Sequence, residues 1–356
     1  MPIFNDNLNP FGLDFSDRAV KVAQLGRKKD GKLFLRGCRR EEIPQGIIEE
    51  GEIKKPEELV KYIKSAMENA QPDNLKSKFV IYSIPETKGF IRVIRVPYEQ
   101  KDDLEGAVFA EVEQQFPVSI EESYLDWQVL ESREGKDLEV LVAVVPQLVV
   151  DSYSEVLSMA GLRPVAAEIE SIAIARSLIN EKMSQKPALI IDLGKDRTSF
   201  IIYKYPTVQF TASIPVCGVE FNKAIARQFG ISEEDAEKVR YKCGISLRGD
   251  CRKVYEALDS NLNEMMGYID RLLGYYQDHF KSDMDIAKVI ICGGEARMNG
   301  ISSLLSLKIK KEVEKGNPWV NIVSGKEIPA VSRNDSLIFV TVLGLALRGI
   351  EKEDPI

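Results

Sequence analysis

The sequence predicts an α/β protein of two related halves facing each other across a cleft, with a smaller α+β module inserted into the first half. Three observations carry this. FGLDFSDRAVKVAQL (Phe11–Leu25) and LIIDLGKDRTSFIIY (Leu189–Tyr203) superimpose as strand, acid, polar turn and second strand, with Asp14 and Asp192 coinciding. A third strand follows each, and each half later returns through a buried strand, FVIYSI (Phe79–Ile84) or AKVIIC (Ala287–Cys292). Between the two units, from about Thr87, runs a stretch with a pattern of its own. At 356 residues the chain is also too long for one simple core.

The elements follow in order. KLFLRGCR (Lys32–Arg39) is the third strand of the first half. Pro56-Glu57-Glu58 opens a helix, with proline where its missing N–H costs nothing and acids in the first turn. That helix carries Leu59, Val60, Ile63 and Met67 on one face. Pro85 closes the strand Phe79–Ile84. FIRVIRV (Phe90–Val96) is rich in β-branched residues. A helix over Asp102–Phe116, strands over Tyr124–Leu130 and Leu138–Val145, and a helix over Gln147–Met159 stopped by Gly161 complete what reads as a self-contained module. The second half continues with a strand over Thr207–Ile214 and helices over Val219–Phe229 and Glu233–Lys242, the latter with Ser232 and Asp235 in capping-box spacing. A long amphipathic stretch spans Lys253–Phe280. In VIICGGEARMNGISSLL a strand ends at Gly293-Gly294 and a helix starts after Gly300. Leu307–Lys315 reads as a solvated segment of paired charges. The expected organisation is residues 1–86 as a first subdomain, completed by about 164–186 and 335–356; 87–163 as the module; 187–215 and 285–334 as a second subdomain; and 216–284 as a helical subdomain on the second half.

Composition narrows the function. Hydrophobic residues at 44% and charged residues at 29% describe an ordinary soluble globular protein. A net charge of −7 excludes a dedicated nucleic-acid binder, which needs a basic footprint. The five cysteines are scattered and form no C-x-x-C pair, so reduced cytoplasmic thiols are expected rather than disulfides or a zinc site. The single histidine, His279, excludes a multi-histidine metal centre. The polar, proline-broken MPIFNDNLNP does not read as a signal peptide, and no apolar run approaches the roughly 20 residues of a membrane span.

An aspartate at a strand end, just before a tight turn, suits phosphate chemistry. Mg2+ prefers carboxylates, waters and substrate phosphates, and successive turn N–H groups form an anion-binding concavity. Asp14 and Asp192 are the expected Mg2+ ligands, acting through water, and Gly194 lets the second turn approach a phosphate closely. A strand-terminal aspartate alone is commonly just a turn-former; its repetition in two matching hairpins, with Gly293-Gly294 as a third element, favours a nucleotide site.

These residues resemble a known family. The two acid hairpins and Gly-Gly-x-x-Arg look like the phosphate and adenosine motifs of the actin, hexokinase and heat-shock chaperone ATPase superfamily. Within it the chain is similar to the PilM family, cytoplasmic actin-like proteins of type IV pilus assembly that are themselves similar to FtsA. Gly12, Asp14, Val20 and Lys21 match the opening G-I-D-I-G-S-x-S-I-K. Asp192, Gly194 and Thr198 match D-I-G-x-x-x-T, and Gly218, Ala236 and Glu237 fit G-G-x-x-x-T followed by A-E-x-x-K. SIPETKGFIRVIRVP, EVEQQFPVSIEESYLDWQVL and SMAGLRP in the module are especially like PilM, and LIFVTVLGLALRGI resembles the closing helix.

The resemblance implies an actin-like ATPase fold that binds ATP and Mg2+. Asp14, Ser16, Asp17 and Lys21 would stand at the first phosphate loop, and Asp192, Gly194, Thr198 and Gly218 at the second. Glu237 and Arg240 would hold ribose and adenine, above Gly293, Gly294 and Arg297. The chain departs from the pattern at Ser16, Asp17, Ala19, Cys217, Asn222 and Arg240. Asp17 puts negative charge near the phosphates, so hydrolysis is expected to be slow at most, with Glu170 the candidate to orient water. By the same resemblance the partner is the N-terminal cytoplasmic peptide of a PilN-like inner-membrane protein, with other inner-membrane pilus components as further candidates. The peptide would lie extended in a groove between the module and the first-half sheet, near Phe90, Arg92 and Arg95, the arginines on opposite strand faces. The protein would be cytoplasmic and reach the inner face of the membrane only through partners. The alternatives are an FtsA-like division protein, whose basic C-terminal membrane helix the acidic tail Glu351–Ile356 does not resemble, and a small-molecule kinase of the same superfamily.

Overall fold

A computed structural model describes residues 9–131, 137–180, 186–280, 285–322, 331–332 and 334–350. The tail Glu351–Ile356 and the first eight residues of MPIFNDNLNP lie outside this set. β1 (Phe11–Ser16), β2 (Ala19–Arg27) and β3 (Leu33–Glu42) form an antiparallel meander. A short ribbon, β4 (Ile48–Glu49) with β5 (Glu52–Ile53), leads to α1 (Pro56–Glu68), which buries Leu59, Ile63 and Ala66 against β2 and β3. Val60 and Met67 flank that face, partly buried. β6 (Gln71–Pro72) pairs with β3 at the sheet edge, and β7 (Phe79–Ile84) returns parallel to β1.

β8 (Phe90–Val96) is followed by α2 (Leu104–Gln115), whose start is capped by the Asp103 carboxylate accepting the Gly106 N–H. β9 (Ser123–Glu131), β10 (Leu138–Pro146) and α3 (Gln147–Met159) follow, and Gly161 ends that helix with φ 82°. β11 (Arg163–Ile169) then rejoins the first sheet parallel to β7, ahead of α4 (Glu170–Leu178).

The second meander is β12 (Ala188–Leu193), β13 (Thr198–Lys204) and β14 (Thr207–Ile214). After α5 (Gly218–Phe229), α6 (Glu233–Cys243) begins where the Ser232 hydroxyl accepts the Asp235 N–H. α7 (Cys251–Phe280) precedes β15 (Lys288–Cys292), α8 (Ile301–Ile309), β16 (Val313–Lys315) and α9 (Val340–Arg348). Leu307 is exposed as expected, but Val313–Lys315 is a strand paired with β15, not a solvated segment.

The two sheets share one inner topology. The first runs β11-β7-β1-β2-β3-β6 and the second β16-β15-β12-β13-β14-β8-β10-β9. In each, an antiparallel meander is flanked by two parallel strands on the side of its first strand. Inward residues such as Phe11, Leu13, Phe15, Leu189, Ile190 and Ile191 are wholly or almost wholly buried. Each contributes about 1.5–3 kcal/mol relative to exposure. α9 lies on β1 and crosses α4, and there Gly344 meets the Ala173 carbonyl so closely that a Cβ would collide with it. Beside this crossing the buried Glu168 accepts two bonds from Arg176, at 2.6 and 2.7 Å, and one from Arg348 at 2.8 Å.

Two expectations need correction. The module is not self-contained. β8 continues the second sheet by meeting β14, with Phe210 opposite Arg92, while α3 rests on α1 and β11 of the first half. Tyr153 of α3 is buried, edge-on to Phe15 at 5.0 Å. β8 lies along the β14 edge and pairs with it at that one position. Nor are all the cysteines thiols: Cys243 and Cys251 form a disulfide, because the end of α6 and the start of α7 come within 5.1 Å between Cα atoms. Cys38, Cys217 and Cys292 are free and buried. Among the described residues, no helix is long and apolar enough to cross a membrane.

Candidate functional site: the cleft between the two acid hairpins

The duplicated topology brings Asp14 and Asp192 to equivalent places on one cleft of about 390 Å³. In the parallel ladder β1–β7, Leu13 pairs with Tyr82, so Asp14 stands beside Ser83, whose hydroxyl donates to Asp14 Oδ1 at 2.9 Å. Lys21, opposite Asp14 in the β1–β2 hairpin, donates to Oδ2 at 2.7 Å. In the second half Asp192 pairs with Cys292, whose Sγ lies 3.6 Å from Asp192 Oδ1. Cys292 therefore stands where Ser83 does. Both Asp14 oxygens are engaged by strong donors, while among the described residues Asp192 meets only a weak thiol donor. Burial pushes the Asp192 carboxyl above the ordinary range; Lys21 pulls it back and Asp14 adds to the rise. Two strand-end carboxylates, one sparsely partnered, fit a hydrated Mg2+ that takes one or two carboxylates and fills its shell with water and phosphate oxygen. Among the described residues there is no group of three or more side chains that could hold a metal ion.

The turns shape the phosphate side. Gly194 N–H donates to the Arg197 carbonyl at 2.9 Å, and a Cβ on Gly194 would sit 2.7 Å from that oxygen. Ser16 Oγ accepts the Ala19 N–H and donates to its carbonyl. The Asp17 carboxylate accepts the Glu50 and Gly51 N–H groups at 2.8 and 3.0 Å, so the loop before β5 offsets the charge expected to oppose phosphate. Arg18 of the first hairpin reaches Asp196 of the second at 3.3 Å, an ion pair across the cleft.

On the opposite flank Gly293 has φ 86° and packs against Asp192 Oδ1 and the Leu193 carbonyl, leaving no room for a Cβ. Gly294, Arg297, Glu237 and Tyr241 line the cleft. Arg297 donates to the Gly294 carbonyl at 3.1 Å and lies 5.5 Å from the Tyr241 ring centroid. Lys195 pairs with Glu237 at 3.0 Å.

Three expected ligands are structural instead. Arg240 is wholly buried, ion-paired with Glu295, bonded to Asn222 Oδ1 at 2.9 Å and stacked 4.7 Å from the Tyr241 ring. Its charge is met inside the protein, and the next residue, Tyr241, takes the cleft position. Thr198 is buried and donates to the Val216 carbonyl at 2.6 Å, tying the hairpin to the loop before α5. Gly218 packs under Glu295, and its N–H donates to the Gly194 carbonyl at 3.2 Å.

Glu170, at the start of α4, lines the cleft and accepts the Glu86 N–H at 3.0 Å. Burial pushes it well above the ordinary carboxylate range; Asp14 and Asp192 add to this, and Arg197 opposes it. Glu86 itself is buried with Oε2 unpartnered, and burial raises it too. In the module, Arg92 and Arg95 do lie on opposite faces, but Phe90, Arg92 and Arg95 do not converge. Phe90 packs on Phe116 at 6.4 Å, Arg92 lies over the Phe210 ring at 5.7 Å, and the exposed Arg95 pairs with Glu139 at 3.5 Å. Sequence reasoning missed Ser83, Tyr241 and Arg197. Only Tyr241 carried a signal, four residues after Glu237 on one helix.

Two matching halves around a cleft of paired acid hairpins define a protein of the actin-like ATPase fold. MreB5 of Spiroplasma citri, in a structure bound to AMPPNP, shares this fold at TM-score 0.56 and 14% identity over 96% of each chain. The chain belongs to the family of the type IV pilus assembly protein PilM, whose description fits residues 12–350. A solved PilM-PilN type IV pilus biogenesis complex is similar over 96% of this chain and 99% of that one, at TM-score 0.81 and 25% identity. The cell division protein FtsA of Pseudomonas aeruginosa is 26% identical over 239 residues, which is 62% of this chain and 56% of the FtsA length.

Proposed function

We propose that the protein is an ATP-binding scaffold of type IV pilus assembly that takes the N-terminal cytoplasmic peptide of a PilN-like inner-membrane protein. It would thereby stand at the inner face of the membrane through its partner. The supporting observation is the likeness to a PilM-PilN complex across nearly the full length of both chains. ATP with Mg2+ is the expected ligand of the cleft, in line with the fit of Asp14 and Asp192 to a hydrated cation and with the nucleotide-bound relative of the same fold. The peptide would run extended beside the module, along the exposed end of β8 that carries Arg95. Main-chain hydrogen bonds would supply affinity and alternate side chains specificity. Fluorescence polarisation with the labelled peptide from the same organism tests this. Arg95→Glu is expected to weaken binding more than Arg92→Glu, because Arg95 is the exposed cation. No binding by the unmutated protein overturns the assignment; equal binding by both variants overturns the placement alone.

A further inference from the structure

We propose that Arg197 holds the terminal phosphate of a nucleoside triphosphate and so sets a preference for ATP over ADP. This rests on the nucleotide reading above and assigns a residue to it. The cleft is lined by several cations, but nearly all are committed. Lys21 is paired with Asp14, Arg18 with Asp196, Arg40 with Glu42, Lys195 with Glu237 and Arg297 with Asp335. Among the described residues, Arg197 is the cleft-lining cation with no carboxylate within ion-pair distance. Its Nη1 instead donates to a neutral partner, the Thr87 hydroxyl, at 2.9 Å.

That difference decides which cation an incoming anion recruits first. Any other arginine or lysine must give up an ion pair before it can turn to a phosphate. Arg197 exchanges one neutral hydrogen bond for a charge-assisted one, and its planar fork can take two phosphate oxygens at once. Its surroundings are acidic: the field of Arg197 is felt at Glu170, Glu86 and Asp192. The guanidinium is thus placed by a single neutral hydrogen bond and is not consumed by an ion pair.

Its place along the cleft selects the terminal phosphate. Arg197 closes the second hairpin turn through its carbonyl bond to the Gly194 N–H and points to Thr87, at the junction of the first half and the module. Gly294, Arg297 and Tyr241 gather on the second half, where a base would rest. Lys195 of the same turn reaches Glu237 on that flank, while Arg197 reaches Thr87 on the far side, so a triphosphate laid along the turn would end beside Arg197 and a diphosphate short of it.

Calorimetric titration with Mg-ATP and with Mg-ADP tests the assignment on the full chain. Arg197→Gln is expected to lower Mg-ATP affinity by about 10- to 100-fold, the loss typical of a hydrogen bond to a charged group, and to leave Mg-ADP affinity within about twofold. Arg197→Lys should recover part of the ATP affinity, keeping charge without the fork. Thr87→Val, which frees the guanidinium, should leave Mg-ATP binding undiminished. Retained ADP binding also reports that each variant is folded; if Arg197→Gln unfolds, Arg197→Lys carries the same comparison. Equal losses for both nucleotides in a folded variant, or no loss for either, overturn the role of Arg197 alone. Failure of the unmutated protein to bind either nucleotide overturns the nucleotide reading and this assignment with it.

Discussion

Asp14 and Asp192 occupy equivalent places in the two halves but keep different company: a serine and a lysine on one side, a thiol on the other. The same contrast between satisfied and unsatisfied carboxyls predicts how stability responds to pH. Glu86 is buried with one oxygen unpartnered, and burial raises its proton affinity above that of the unfolded chain. A raised pKa means that the folded state binds more protons. Its stabilising contribution is therefore complete below the ordinary carboxylate range and is lost as pH climbs through the folded value. Glu86→Gln should gain stability over the unmutated protein as pH rises above the ordinary carboxylate range, read as a widening difference in urea midpoint. A constant difference would contradict it. The places of Asp14, Asp192 and Gly194 on one cleft were legible because the hairpin occurs twice. Arg240, Thr198 and Gly218 were not. A motif match fixes a place along the chain but not which way a side chain turns, and interior partners such as Glu295 and the Val216 carbonyl claimed these three.

Helices and strands were more readable than their partners. Pro56 opens α1 where its ring is tolerated, Gly161 closes α3 in the left-handed conformation, and Ser232 caps α6, all as local chemistry dictates. The β14–β8 pairing and the Cys243–Cys251 bond depend on chain segments meeting in space, for which spacing holds no signal. The α4–α9 crossing is another such meeting. Gly344 lets α9 approach the Ala173 carbonyl, and its own carbonyl accepts from Arg176 at 3.2 Å. In an isolated helix Gly→Ala gains roughly 0.5–1 kcal/mol. Here steric exclusion should win, at the 1–3 kcal/mol or more typical of overpacking about a close contact. Gly344→Ala is thus expected to lower the unfolding midpoint in urea. An increase would show that the crossing can relax.

At the scale of the whole molecule the expectation of slow turnover rests on the departures of the first phosphate hairpin from the family pattern, Ser16 and Asp17 among them. Burial raises the Glu170 carboxyl beside Asp14 and Asp192, and an ion pair of Arg18 with Asp196 spans the hairpins. Phosphate release from Mg-ATP should run well below the median enzyme rate of about 10 per second. Release at that rate or faster, abolished by Asp14→Ala, would reverse this conclusion. The related halves were visible in the sequence because each repeats one pattern of strands; the footing of the module was not, because it stands on both. Its sheet joins the second half at one paired position, Phe210 with Arg92, while α3 lies on the first. A body clamped at two ends by different supports behaves as a strut. Any rocking of one half against the other must be taken up as shear somewhere along it. The path between the halves therefore runs through both supports, the edge where β8 meets β14 and the face of α3.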